Sequence, residues 1–171
     1  MDDYDKDVIK KHEHTRPKKE ADRIKHVDVT NVNAGPIFLT YRQRDSVDRL
    51  VEQVIQNDPV YDFTAPDGIQ HTVWIMADDV ANKIISEFGG IDTLYVADGH
   101  HRSASAAKVA NMRRKADPDH TGEEEYNYFL AVLFPDAQLR ILDYNRVLKN
   151  LNGHTEDELF AALDGLFSVE K

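Results

Sequence analysis

The sequence contains no cysteine. That absence removes disulfides, thiolate nucleophiles, iron–sulfur clusters and cysteine-based zinc sites, so any metal would have to be held by His, Asp and Glu. Long apolar runs are missing too: no stretch approaches the roughly 18 consecutive apolar residues of a membrane span. The chain opens on Met1-Asp2-Asp3-Tyr4-Asp5 instead of a basic and then hydrophobic signal, so a cytoplasmic protein is expected. Positive charge is in the minority, with 21 Lys and Arg against 31 Asp and Glu and a formal net charge of -10. A field of that sign repels polyanions and argues against nucleic acid as the main partner. Short basic clusters remain at Arg42 and Arg44 and at Arg113-Arg114-Lys115, where a local patch could form.

With 171 residues and an ordinary apolar fraction, the chain suits a single globular domain over 1–171. A short helix or turn is expected first, then a helix opened by Pro17 and running from Lys18 to about Val29. Asn33-Ala34-Gly35-Pro36 is a break, and Ile37-Phe38-Leu39-Thr40-Tyr41 has the length and composition of a buried strand. Val47, Leu50, Val51, Val54 and Ile55 recur at helical spacing over Asp45 to Asn57. Two extended pieces, Val60 to Thr64 and Ile69 to Met76, flank the turn signal Pro66-Asp67-Gly68 and predict a hairpin. A helix from Asp78 or Asp79 to about Phe88 stops at Gly89-Gly90. The remaining strands are expected at Thr93 to Ala97, Tyr126 to Phe134 and Leu139 to Leu142. Thr155 and Glu158 form a capping box before a final helix. An apolar pair at Phe167 to Lys171 suggests a further strand beginning, and with it a fragment of a longer chain. The alternation gives an α/β (α+β) fold, a mixed sheet flanked by helices.

The chemistry concentrates at Asp98-Gly99-His100-His101-Arg102. A strand that ends in a glycine turn and enters a helix offers free amides and the positive end of a helix dipole to an anion. Gly99 lets a ligand approach the main chain, and His101 and Arg102 add side-chain donors, Arg in the planar fork that suits phosphate. Asp98 is placed as a base or a metal-anchoring carboxylate. Plainer readings stand beside these: an Asp before Gly is often only a turn former, and paired histidines often only a solvated pair. His100 and His101, being adjacent, point in different directions and chelate one metal ion poorly. The residues after them, Ser103 to Ala107, are small enough for a helix to lie close against a strand.

A second constellation is His12-Glu13-His14-Thr15-Arg16, followed by Lys18, Lys19, Glu20 and Arg23. In an extended segment His12 and His14 share a face that suits a metal, and Glu13 could serve as a general base. The spacing differs from the helical zinc-protease pattern, and a solvated charge run accounts for it equally well. Trp74 and His71 read as core, with base stacking as the alternative for Trp74.

These segments, Leu94 to Arg102, His12 to Arg23 and Asn33 to Tyr41, together resemble the bacterial family labelled SpoOJ/ParA/ParB/RepB proteins, over essentially the whole chain. That resemblance implies membership of the ParB and sulfiredoxin superfamily, with its core around the strand-turn-helix of Thr93 to Ala116, and it makes this chain a middle section of longer proteins. It further implies that Gly99, His101 and Arg102 hold nucleotide phosphates. Sulfiredoxins carry their catalytic cysteine where His100 stands, which excludes that redox chemistry. ParB proteins have Arg at the place of His101 and bind a cytidine nucleotide there, so the resemblance leaves the nucleotide open: ATP or ADP is expected with magnesium, and CTP is the alternative.

The leading expectation is a nucleotide-dependent kinase acting on an amino acid-like hydroxyl, as in the superfamily's free serine kinases. In it Asp98, His100 and Glu13 are the catalytic candidates, Asp98 the metal ligand, and His12, Thr15, Arg16 and Arg23 the residues for the acceptor. A non-catalytic nucleotide-binding switch is the second expectation. A phosphoesterase gathering His12, Glu13, His14, Asp98 and His100 around metal ions is the third.

Overall fold

A computed structural model describes residues 1–168. The chain forms two compact units, Met1–Leu139 and Arg140–Lys171. The first contains a short helix α1 (Asp2–Asp5), then β1 (Ile9–Lys10), α2 (Pro17–Thr30), β2 (Ile37–Tyr41), α3 (Asp45–Val54), β3 (Tyr61–Thr64), β4 (Gln70–Val73), α4 (Asp78–Phe88), β5 (Leu94–Asp98), α5 (His100–Ala116) and β6 (Ala131–Pro135). Four strands make one mixed sheet in the order β1-β5-β2-β6, with β1 parallel to β5, β5 antiparallel to β2 and β2 parallel to β6. The fold is α/β with a mixed sheet flanked by helices.

Strand alternation places the core. Ile37, Leu39 and Tyr41 of β2 are buried while Phe38 and Thr40 between them are less so, the period-2 pattern of a sheet with two unlike faces. Ile37 and Leu39 cluster with Ile9 and Val96, and Leu94, Phe129 and Ala131 pack around them. Helix α5 lies against both α2 and β2. Its buried residues include Ser103, Ala104, Ser105, Ala106, Ala107 and Ala110, so it is covered on several sides by virtue of small side chains, not of one apolar stripe. Helices α3 and α4 pack on each other, and Tyr41 meets Phe88 edge to face at 4.9 Å. The hairpin β3–β4 is a separate antiparallel pair, closed by a turn at Gly68 with φ of +83°.

Several boundaries move. The helix expected to Asn57 ends at Val54, and the strand expected over Ile69 to Met76 pairs only from Gln70 to Val73. Tyr126 to Phe134 is a strand only from Ala131; before it, a 3-10 turn covers Glu125–Asn127. The reason is polar anchoring. Asn127, 3% exposed, donates to the Gly122 carbonyl and the Glu124 carboxylate and accepts from Arg114 Nε, which bends the segment away from any ladder. Leu139 to Leu142 forms no strand; apolar character alone supplies no hydrogen-bonding neighbour. Strand β1 was not foreseen, because two residues in a charged segment give no periodic signal.

The second unit holds α6 (Glu156–Asp164), started by the expected capping box: Glu158 N–H donates to Thr155 Oγ1 at 3.3 Å and Thr155 N–H to Glu158 Oε2 at 2.9 Å. The strand expected to begin at Phe167 runs into residues 169–171, outside the described residues. Among the described residues no helix is long and apolar enough to cross a membrane.

Candidate functional site

The turn between β5 and α5 owes its shape to one extra residue. Opposite β2, Val96 pairs with Leu39 and Asp98 with Phe38, so the pairing shifts and Ala97 is the inserted residue of a bulge. Simple alternation would put Asp98 on the same buried face as Val96. The bulge puts it on the face of Phe38 instead, and its carboxylate remains 76% exposed, which avoids the cost of burying an unpaired charge. Gly99 follows with φ of +100°, and α5 begins at His100. A helix start leaves the amides of His100, His101 and Arg102 without intrahelical acceptors, while Ser103 N–H already reaches the Gly99 carbonyl at 2.9 Å.

The side chains of the turn go separate ways. Arg102 folds back over Gly99, and its Nη2 donates to Asp98 Oδ2 at 2.8 Å. A Cβ on Gly99 would stand 3.1 Å from both Nε and Nη2 of that guanidinium, and a Cβ on Gly35 would stand 3.3 Å from Nη1. Arg102 is therefore seated between two glycines. The histidines face the other constellation. His101 Nε2 accepts from the Arg16 N–H at 3.0 Å. His100, 5% exposed, receives the His12 N–H on Nε2 at a long 3.5 Å, meets the His12 ring edge to face at 4.4 Å, and has Nδ1 3.6 Å from Glu13 Oε2.

This arrangement favours the neutral form of His100. Burial pushes its pKa below the ordinary histidine value, and the neighbouring His12 pushes the same way. With Nε2 accepting, the single proton of the neutral ring belongs on Nδ1, directed at Glu13. Glu13 itself is 57% exposed, so the buried ring orients an open carboxylate.

Thr15 is tied down by Glu20, a buried carboxylate whose oxygens receive Thr15 Oγ1 and Lys108 Nζ. Those two bonds, Lys108 first, hold the Glu20 pKa below the usual carboxylate range. Ser105 Oγ donates to the His101 carbonyl at 2.6 Å, joining the same network from α5. The 12–16 segment is thus held against the start of α5 at His12, Glu13 and Arg16, while Thr15 ties it to α2 through Glu20.

The structure brings Asp98, Gly99 and Arg102 together on one side of the turn, and His100 and His101 together with His12, Glu13 and Arg16 on the other. Thr15 faces Glu20, and Arg16 contributes its amide while its side chain is exposed. Arg23 pairs with Asp22 and shares a hollow with Arg102. Among the described residues no group of three or more His, Asp or Glu side chains is placed to hold a metal ion. Trp74 stands elsewhere, its Nε1 donating to the Asn57 carbonyl at 2.9 Å, and His71 stacks on Phe63 within the hairpin. The sequence reading missed Glu20 as an anchor and Gly35 and His26 as lining residues. The spacing of Arg23 and His26, three apart on one helix, was the available signal for the latter.

Comparison with known proteins gives one family. A family model described as "Protein of unknown function (DUF1015)" matches residues 1–171. It is not a ParB or SpoOJ family, so the expected resemblance to SpoOJ/ParA/ParB/RepB proteins is corrected, and the ParB-like core expected with it has no support. Three short motifs were a poor guide because a strand, a glycine and a basic helix start recur wherever a fold presents amides to an anion. Neither the curated proteins nor the solved structures gave a match.

Proposed function

The chain belongs to the DUF1015 family, whose description carries no activity, and we propose from the geometry of its turn that it grips the phosphates of a nucleotide and passes a phosphoryl group to a small hydroxyl-bearing acceptor. The observation that carries this reading is Gly99 at φ of +100° opening α5, with three amides free of intrahelical partners and the Arg102 guanidinium laid over the glycine. Amides at the positive end of a helix and an Arg fork form a site for phosphate oxygens. ATP or ADP is the expected ligand, with CTP as the alternative.

Asp98 would hold magnesium once Arg102 Nη2, which pairs with it at 2.8 Å, turns to the phosphate oxygens. Asp98 offers a single exposed carboxylate beside the turn, and magnesium is commonly held by one or two carboxylates together with phosphate oxygens and water. When bound, it supplies charge neutralisation on the phosphates. The chain's own contribution is positioning and proton acceptance. Glu13 takes the proton of the acceptor hydroxyl as that oxygen forms its bond to the terminal phosphorus. The bond from phosphorus to the bridging oxygen breaks, and the nucleotide, one phosphate shorter, leaves with the electron pair of that bond. His100 positions Glu13 and does not meet the substrate. A cytoplasmic location suits this reading, since nucleotides and magnesium are plentiful there, and the charge of -10 disfavours nucleic acid as partner.

The test is turnover of ATP with magnesium and a panel of amino-acid and hydroxy-acid acceptors, followed by phosphorus NMR. A phosphate ester should appear with one acceptor class, and ADP should accumulate only in its presence. Nucleotide at about 100 times its dissociation constant should stabilise the fold by about 2.7 kcal/mol. Stabilisation without turnover would make the protein a nucleotide-dependent switch. The absence of both would remove the nucleotide reading.

A further inference from the structure

Arg102 does more than face the turn. Its Nη1 edge lies against Gly35, and the same side chain lines a hollow of about 190 Å³ between α2, the loop before β2 and α5. Arg23 and His26, on one face of α2, line the hollow from the other side, with Asn33 and Gly35 between them. No Asp or Glu is among the described residues that line it, in a chain whose acidic residues outnumber its basic ones.

Donors are left over for a ligand. Arg23 spends Nε and one Nη2 hydrogen on Asp22, and Arg102 spends Nη2 on Asp98. A guanidinium carries five N–H donors, and among the described residues the Nη1 groups of both arginines are bonded to no acceptor. Gly35 is the residue that leaves room, because a side chain there would press on Arg102 Nη1. The volume limits what can enter. Pockets for whole small molecules run from about 300 to 1,000 Å³, so this hollow takes one end of a ligand and not a nucleotide.

We propose that the hollow lined by Arg23, His26 and Arg102 is an oxyanion subsite that holds the acid end, carboxylate or phosphate, of the acceptor. This rests on the phosphoryl-transfer reading above and adds the acceptor's chemical class: a small hydroxyl compound bearing an acidic group. Arg102 is the shared member, with one edge at the nucleotide phosphates and the other at the acceptor's acid, so a single planar group sets the two ligands side by side.

Amide NMR of the full chain separates the two sites. Three probes of similar size are titrated, glycerate, glycerol phosphate and glycerol, each with and without magnesium and ADP. The amides of Ala34, Gly35 and Arg102 should shift with glycerate or glycerol phosphate and remain still with glycerol, and the tighter of the two acids identifies the group. Arg23→Gln should weaken that binding about tenfold or more, and His26→Gln should weaken it less. Both should leave the ADP-induced shifts at His100 and His101 in place. If neither acid moves Ala34 and Gly35, or if Arg23→Gln binds as tightly as the unaltered protein, the subsite is wrong. If the acids bind there while ADP leaves His100 and His101 unmoved, the subsite stands as an anion site and the nucleotide reading fails instead.

Discussion

Replacing Glu13 with glutamine is expected to slow phosphoryl transfer about 10²- to 10⁴-fold with little change in stability, about 0.5 kcal/mol or less. Glutamine keeps the length of the side chain and an oxygen that can face His100 Nδ1, but it cannot accept a proton. The carboxylate is 57% exposed and lies a long 3.6 Å from His100 Nδ1, so the fold depends little on it. Single-turnover kinetics followed by phosphorus NMR would measure the loss, with ADP affinity measured alongside. Affinity should change less than twofold. A variant that turns over normally would strip Glu13 of its role as base, and one that loses ADP affinity would move it from proton transfer to binding.

Gly99→Ala is the second large effect, and it should act on stability and binding together. At φ of +100° an L-residue is strained by about 1–2 kcal/mol. The added Cβ would also stand 3.1 Å from Arg102 Nε and Nη2, so the guanidinium must move off the turn. Gly68 separates the two causes. It has φ of +83° with nothing within 4 Å of a built Cβ, so Gly68→Ala carries backbone strain alone. Urea unfolding should show similar losses for the two variants, with the larger for Gly99→Ala. ADP affinity should fall about tenfold or more only in Gly99→Ala, since it displaces a charge-assisted hydrogen-bond donor. Equal ADP affinity in both variants would mean that the turn does not hold the phosphates.

The parts of this structure that could be read in the sequence are those whose cause is local. Ile37 to Tyr41 announces its two faces by alternation, Pro66-Asp67-Gly68 its turn, Thr155 and Glu158 their capping box, and Gly99 the entry to a helix. What could not be read depends on partners distant in sequence. The bulge at Ala97 exists only against β2, and it alone decides that Asp98 is exposed. The paired histidines gave no hint that each would turn its Nε2 to a backbone amide, His100 to that of residue 12 and His101 to that of residue 16. Asn127 looked like part of a strand until the three hydrogen-bond partners of its side chain were in place. Residues of the two constellations are some 85 positions apart, and the parallel pairing of β1 with β5, the packing of α2 on α5 and the bonds of His12 and Arg16 to the paired histidines set them together.

A crystal of the full chain soaked with ADP and magnesium tests the central claim most directly. The terminal phosphate should lie within about 3 Å of the amides of His100, His101 and Arg102, with Arg102 turned from Asp98 toward its oxygens. Density for the nucleotide at another place, or an Arg102 still paired with Asp98 beside an empty turn, would contradict it.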